Sequence, residues 1–147
     1  MDKLEFIFVE KQKKFCKIKP IVLEIPECIV LEQQGMDLYL KMNPWLENFN
    51  ETVKMETIKF VSRIYFKQQL ESRFCNNYRI LKTKHCLKFK LNCETELLPG
   101  TIIKPTIELY EINLFKSSFN IDYLITNYSI LNENLFGPDS DSDIEFI

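Results

Sequence analysis

Basic side chains interleaved with tyrosines are concentrated in the middle of this sequence, where they could bind a charged ligand. As strand positions they form two stripes, one of Lys59, Arg63, Tyr65 and Lys67, the other of Tyr78, Lys82, Lys84, Lys88 and Lys90. Ammonium and guanidinium groups bind phosphates, and an aromatic ring stacks on nucleobases. On adjacent strands, the stripes would form a groove for single-stranded nucleic acid or an acidic peptide. The alternative is that these lysines only keep a strand soluble and protect it from aggregation.

The charge of the chain is distributed unevenly. All 147 residues together have a net charge of −2, and the sequence pI is about 5.5. Residues 53–90 nevertheless hold ten Lys and Arg against two Glu, a net charge of +8, whereas residues 91–147 hold two Lys against ten acidic residues, a net charge of −8. The acidic total argues against a general nucleic-acid coat, but the middle third is locally basic enough to attract phosphates or acidic segments.

Residues suited to catalysis or metal binding are sparse. The three glycines, Gly35, Gly100 and Gly137, form no Gly-rich phosphate loop, and the single histidine, His85, offers no metal-ligand spacing. Cys86 follows His85, but neighbours on a strand point to opposite faces, so no catalytic pair is expected. The five cysteines form no Cys-x-x-Cys motif. We therefore expect a protein that is not an enzyme and that binds no metal or cofactor.

The sequence indicates neither a membrane segment nor a secretion signal. No apolar run approaches the roughly 20 residues that span a bilayer. Residues 1–5 contain acidic residues on both sides of a lysine, which is not the pattern of a signal peptide. We therefore expect an intracellular protein.

Short stretches rich in β-branched and aromatic residues predict an all-β fold with one or two short helices. Strands are expected at 4–9, 15–25, 28–34, 37–42, 78–91, 101–110 and 121–131, and a hairpin about Gly35 is expected to join 28–34 to 37–42. A short helix is expected from Asn43 and Pro44, which suit the N-cap and the first helical position. Trp45 would anchor this helix in the core. Many short strands with few helices favour a barrel or a sandwich.

Residues 53–70 fit two structures. As a strand, Ile58, Phe60 and Ile64 share one face, whereas a helix would align Ile58 with Val61. The content of β-branched and aromatic residues favours a strand that ends in a helical turn.

The stretch 97–131 resembles part of a known class of domain. A leucine and a Pro-Gly turn at Pro99 and Gly100 are followed by an apolar pair, an alternating strand and a return strand of the form Ile-x-x-Tyr-x-Ile-Leu from Ile125. This is similar to the last two strands of the OB-fold domains of the replication protein A large subunit and its relatives at telomeres. Those domains usually place a helix before the turn, where residues 87–96 predict strand and turn. The resemblance covers about a quarter of the chain.

The resemblance implies a fold and a class of function. The fold would be a partly open Greek-key β-barrel of the OB-fold type, formed by residues 1–136 as one domain. Domains similar to the N-terminal domain of replication protein A use the basic barrel groove for acidic peptides, and small telomeric OB subunits assemble partner proteins. The chain is also similar in size and character to subunits of telomere-capping complexes, including the Modigliani-type subunit of the fly complex.

The expected function is therefore that of an adaptor. We expect a subunit in the nucleus that holds partner proteins in a complex acting at telomeres or single-stranded DNA. Direct binding of single-stranded nucleic acid through a basic strand face is the alternative. A divergent β-domain, for example one encoded by a virus and directed at a host protein, would have the same sequence features.

Residues 137–147 differ from the rest of the chain and are expected to be an acidic disordered tail. The run at 139–143 alternates aspartate with serine and should remain solvated. Ile144, Phe146 and Ile147 then resemble a SUMO-interaction motif, a short strand that pairs with a sheet edge beside a basic patch. A plain tail without a partner is the alternative.

Overall fold

A computed structural model of the chain describes residues 4–65 and 69–132. These residues form nine β-strands and two α-helices, which confirms the predicted all-β class. The strands are β1 (Phe8–Lys11), β2 (Phe15–Glu24), β3 (Cys28–Gln34), β4 (Asp37–Lys41), β5 (Tyr78–Leu81), β6 (Lys84–Leu91), β7 (Ile102–Leu114), β8 (Phe119–Ile121) and β9 (Leu124–Asn132). The helices are α1 (Pro44–Tyr65) and α2 (Leu70–Arg73).

Five of these strands close into a ring. β3, β4 and β6 form an antiparallel meander, β6 pairs in parallel with β9, β9 pairs antiparallel with β7, and β7 returns to β3. The contacts β6–β9 and β3–β7 each contain only two residue pairs, so the ring is uneven. In this ring, β7 and β9 pair with each other and connect the two ends of the β3–β4–β6 meander. This is the Greek-key arrangement of a partly open, OB-fold-like barrel, as predicted.

The other strands extend the sheet beyond the ring. β2 pairs with the second half of β7, from Thr106 to Asn113, and β1 pairs with β2. β8 pairs with the end of β7, and β5 pairs with β6. Among the described strands, β1 and β5 therefore form the two ends of the sheet.

The hydrophobic core fills the ring and extends to α1. Leu38 of β4 and the β6 residues Leu87 and Phe89 are fully buried. Tyr123, between β8 and β9, packs against Phe89 and against Phe49 of α1, with ring centroids 5.5 and 4.9 Å apart. Helix and ring thus share one core.

Helix α1 corrects the prediction for residues 53–70. Residues 53–65 continue the helix that begins at Pro44, so the predicted strand is wrong and the helix has 22 residues. Buried side chains recur along α1 at helical spacing: Leu46, Phe49, Val53, Thr57, Phe60 and Val61. Burial of this stripe in the core outweighs the β-propensity of its residues, which depends strongly on context.

The predicted start of α1 is confirmed. The side-chain oxygen of Asn43 accepts a hydrogen bond from the amide of Leu46, with an N···O distance of 2.8 Å, and Pro44 is the first helical residue. Trp45 is half-buried and stacks on Phe49, with ring centroids 5.5 Å apart. The cap and the aromatic pair together attach the beginning of α1 to the core.

The predicted strand 78–91 is instead two strands joined by a tight turn. Lys82 and Thr83 have φ angles of 50° and 70°, as a two-residue hairpin between β5 and β6 requires. Such turns usually contain Asn, Asp or Gly, so the Lys-Thr pair gave no turn signal in the sequence. The reversal changes which side chains of β5 share a face with β6.

Two predicted glycine turns are confirmed. Gly35, between β3 and β4, has a φ of 64°, and Gly100, before β7, has a φ of 91°. Glycine adopts these left-handed conformations without the steric cost that a Cβ atom would add. The Pro-Gly turn therefore leads directly into β7, the longest strand described.

The domain boundary predicted at residue 136 lies outside the described residues. The same holds for the tail motif Ile144, Phe146 and Ile147. The last described strand ends at Asn132.

Replacing Asn43 by Ala is expected to lower the free energy of unfolding by about 1 kcal/mol, because the Leu46 amide loses its side-chain acceptor. Urea unfolding followed by circular dichroism measures this change. Asn48→Ala, at an exposed position of the same helix, is the control and should leave stability unchanged or slightly higher, since Ala favours helix. Equal losses in the two variants would contradict the capping role of Asn43.

Candidate functional site

Strand β6 carries a row of lysines on the outside of the ring. Its apolar residues Leu87, Phe89 and Leu91 are buried. Because successive side chains of a strand point to opposite faces, the alternate positions point outward. These outward positions are Lys84, Cys86, Lys88 and Lys90.

The strands on either side of β6 each add a basic side chain to this row. Residues directly opposite each other in an antiparallel pair lie on the same face. Lys41 of β4 and Arg79 of β5 both lie opposite Cys86, one on each side of it. We call the resulting surface the basic face, which consists of Lys41, Arg79, Lys84, Lys88 and Lys90.

Local hydrogen bonds hold the centre of the basic face in place. Arg79 Nη1 donates to the carbonyl oxygens of Asn76 and Tyr78, with N···O distances of 2.5 and 2.9 Å. The buried thiol of Cys86 donates to the carbonyl oxygen of Arg79, with an S···O distance of 3.5 Å. Burial raises the pKa of the Cys86 thiol, and nearby Arg79 opposes this shift. Cys86 is therefore a protonated packing group at neutral pH and not a nucleophile.

Tyr39 of β4 places an aromatic ring on the basic face, but the ring is covered. It lies opposite Lys88, and only 8% of the residue is exposed. Burial raises the pKa of Tyr39, Asp37 raises it further and Arg79 opposes the shift. A base stacks on an open aromatic surface, which Tyr39 does not offer. The basic face can therefore recognise charge without base stacking.

Two carboxylates border the basic face. Asp37 lies opposite Lys90, and Glu32 of β3 lies opposite Tyr39. Opposite charges on a cross-strand pair attract each other weakly at an exposed surface. Lys90 is therefore partly neutralised, and the positive potential is centred on the other four basic side chains.

The structure brings three of the eight predicted binding residues together on one strand. Lys84, Lys88 and Lys90 share the outer side of β6 as predicted. Lys82 lies in the adjoining hairpin turn and is exposed.

The other four predicted residues do not form a second strand beside β6. Lys59 and Arg63 lie one turn apart on the exposed side of α1, and Tyr65 is the last residue of that helix. Lys67 lies outside the part of the chain that the structure describes. The predicted pair of basic stripes on adjacent strands is therefore wrong, because its first stripe is helical.

Tyr78 does not accompany the lysines of β6, contrary to the prediction. It lies opposite Leu87, packs against the core, and its hydroxyl contacts Nδ1 of His85. Arg79 takes its place on the basic face because the two-residue turn reverses the chain. Lys41 was missed as well, although the alternation of residues 37–42 places it outward.

The described residues hold no metal centre. No group of three or more His, Cys, Asp or Glu side chains within 4–65 and 69–132 is arranged to hold a metal ion. Neither of the helices in these ranges is long and apolar enough to span a membrane.

Comparison with known proteins identifies no relative. No family model, no curated protein and no solved structure matches the chain. The OB-fold-like architecture therefore rests on the order and pairing of the strands, and the resemblance to replication protein A and telomere domains stays a prediction.

In the folded protein, Cys75 and Cys93 are expected to react quickly with Ellman's reagent at neutral pH, because they are exposed. Cys16, Cys28 and Cys86 should react slowly, since burial hides them and raises the pKa of each thiol, that of Cys28 to about 11. Reaction in guanidinium chloride gives the total for all five. Rapid modification of Cys86 in the native protein, located by mass spectrometry, would contradict its buried position.

Proposed function

We propose that this protein is a non-enzymatic, OB-fold-like adaptor subunit that binds an acidic segment of a partner protein on its basic face. One observation carries this proposal: five basic side chains share the face on which Tyr39 lies, and Tyr39, the aromatic residue of that face, is only 8% exposed. A carboxylate-bearing segment can pair with these charges without any stacking partner. The adaptor would hold partner proteins together in a nuclear complex acting at telomeres or single-stranded DNA.

The position of the basic face supports a binding function. β4 and β6 are the second and third strands of the five-stranded ring, and OB folds bind their ligands on the face of strands two and three. Lysine and arginine there can pair with phosphate or with carboxylate. Stacking contributes about 1–3 kcal/mol per base to the binding of single strands. The covered ring of Tyr39 therefore favours a carboxylate ligand.

The nuclear setting is supported by the resemblance of residues 97–131 to the OB-fold domains of replication protein A and of telomere subunits. The overall charge supports the role of an assembly subunit. A chain with a net charge of −2 and a pI of about 5.5 has little long-range attraction for nucleic acid, so it suits an assembly subunit better than a coat protein.

Direct binding of single-stranded nucleic acid is the second candidate. The observation in its favour is that the same basic side chains lie on the strands where OB folds bind oligonucleotides. The two candidates differ in their response to salt, because phosphate contacts release condensed counterions and weaken steeply as salt rises.

Fluorescence anisotropy at low and at physiological salt distinguishes these candidates. The two probes are a labelled peptide of Glu, Ser and Gly, which lacks large apolar side chains, and a labelled single-stranded oligonucleotide. At physiological salt we expect the peptide to bind more tightly than the oligonucleotide, because phosphate contacts weaken most steeply as salt rises, although screening weakens the binding of both probes relative to low salt. An oligonucleotide that remains bound at physiological salt would favour the second candidate. Binding of neither probe at low salt would exclude the basic face as a site.

Lys84→Glu combined with Lys88→Glu is expected to weaken binding of the Glu-Ser-Gly peptide by at least about tenfold, because two attractive charges become repulsive. Both side chains point outward from β6, so the melting temperature should change little. Lys59→Glu with Arg63→Glu makes the same change of charge on the exposed side of α1 and should bind as the wild type does. Equal losses in both double variants would show that the peptide responds to net charge and not to the basic face.

A further inference from the structure

A concave surface lies apart from the basic face. A cleft of about 640 Å³ opens where the β1–β2 turn and the β7–β8 hairpin meet α1 and α2. Its volume lies within the range of small-ligand and side-chain pockets. None of its described lining residues belongs to the basic face. It is therefore a separate candidate site.

The cleft has an apolar floor. Val61 of α1, Leu70 of α2 and Phe119 of β8 line it and belong to the buried core. Phe115, in the β7–β8 hairpin, also lines the cleft, yet 56% of this residue is exposed. The exposed ring of Phe115 therefore offers another apolar group a contact beside this floor.

The rim of the cleft is positively charged. Lys13 and Lys14 of the β1–β2 turn, Arg73 of α2 and Lys116 of the β7–β8 hairpin line it, and its described lining contains no acidic residue. Charges of one sign around a concave, apolar surface focus the field toward its interior. The rim therefore favours a ligand that carries negative charge.

We propose that this cleft binds an acidic peptide segment of a partner protein, with bulky apolar side chains on the floor and carboxylates at the rim. Charge complementarity selects this occupant. A purely apolar ligand would leave four cations without partners. A nucleic-acid strand would find only one exposed ring in the described lining, Phe115, on which to stack a base, because Val61 and Leu70 of the floor are aliphatic. The inference goes beyond the proposed function, since it uses none of the residues of the basic face.

The acidic segment 139–147 of this chain has matching chemistry but is poorly placed to reach its own cleft. β9 ends at Asn132, opposite Ile102 at the start of β7, whereas the cleft lies at Leu114, at the other end of that strand. The twelve intervening steps span about 40 Å along the strand. The apolar residues that would occupy the floor begin at Ile144, and residues 133–143 before it extend over about 40 Å at most, so they would reach the cleft only as a fully extended chain. A segment of another protein therefore fits the cleft better.

The experiment uses a labelled heptapeptide, Glu-Glu-Phe-Glu-Leu-Glu-Glu, and full-length protein that carries Lys84→Glu and Lys88→Glu to remove the basic face. Anisotropy is expected to show that this protein still binds the heptapeptide. Phe115→Ser should then weaken binding at least about fivefold by removing an apolar contact, and Lys14→Glu with Arg73→Glu at least about tenfold by reversing two rim charges. Phe115 is exposed, so its replacement should not affect folding.

The outcomes separate this inference from the proposed function. Binding of the heptapeptide to the wild type but not to the Lys84→Glu, Lys88→Glu protein would overturn the cleft site and leave the basic face intact. Retained binding that depends on Phe115 would support the cleft, even if the Glu-Ser-Gly peptide binds nowhere. Binding that appears only after residues 139–147 are deleted would identify that segment as the occupant and overturn the assignment to a partner protein.

Discussion

The pairing of both edges of β7 is the constraint on which the rest of the structure depends. One edge pairs with β9 along residues 102–108 and then with β8, while the other pairs with β3 and then with β2. Backbone groups inside a sheet need hydrogen-bond partners, so the loss of any of these neighbours would leave buried donors and acceptors unpaired. Because β3 and β9 are both attached to β7, β4 and β6 must complete the ring between them. The basic face is the outer surface of that closing pair together with β5.

A series of hydrogen bonds through the side-chain amides of Asn50 and Asn76 connects α1 to the basic face. The hydroxyl of Tyr123 donates to Oδ1 of Asn50, whose Nδ2 donates to Oδ1 of Asn76, with donor–acceptor distances of 2.7 and 2.8 Å. The same oxygen of Asn76 accepts from the amide of Tyr78, and the carbonyl of Asn76 accepts from Arg79. Burial raises the pKa of Tyr123, so its hydroxyl remains a donor. The helix therefore helps to position Arg79, which the sheet alone would hold less firmly.

Features whose conformation depends on a few residues adjacent in sequence could be predicted from the sequence. The start of α1 and the two glycine turns are of this kind, because capping and positive φ are local properties. The helix at 53–65 was mistaken for a strand, since burial against the ring and not local propensity decides its structure. The lysines of β6 share one face because side chains alternate along any strand. Arg79 lies on the same face only because the chain turns at Lys82, and the sequence contains no typical turn residue there. The burial of Tyr39 depends on its neighbours in β3 and β6, and no local sequence pattern reveals such a tertiary contact.

The fold converts an uneven sequence charge into two basic surfaces of different character. The basic face takes its cations from β4, β5 and β6, whereas the rim of the cleft takes them from the β1–β2 turn, α2 and the β7–β8 hairpin. Since the whole chain is slightly acidic, long-range attraction for an anion is weak, and recognition of an acidic partner would depend on short-range contacts within each surface. The basic face offers charge with a covered ring, while the cleft adds an apolar floor. An acidic partner with both polar and apolar stretches could therefore engage the two surfaces together, and the second contact would form at a high effective concentration.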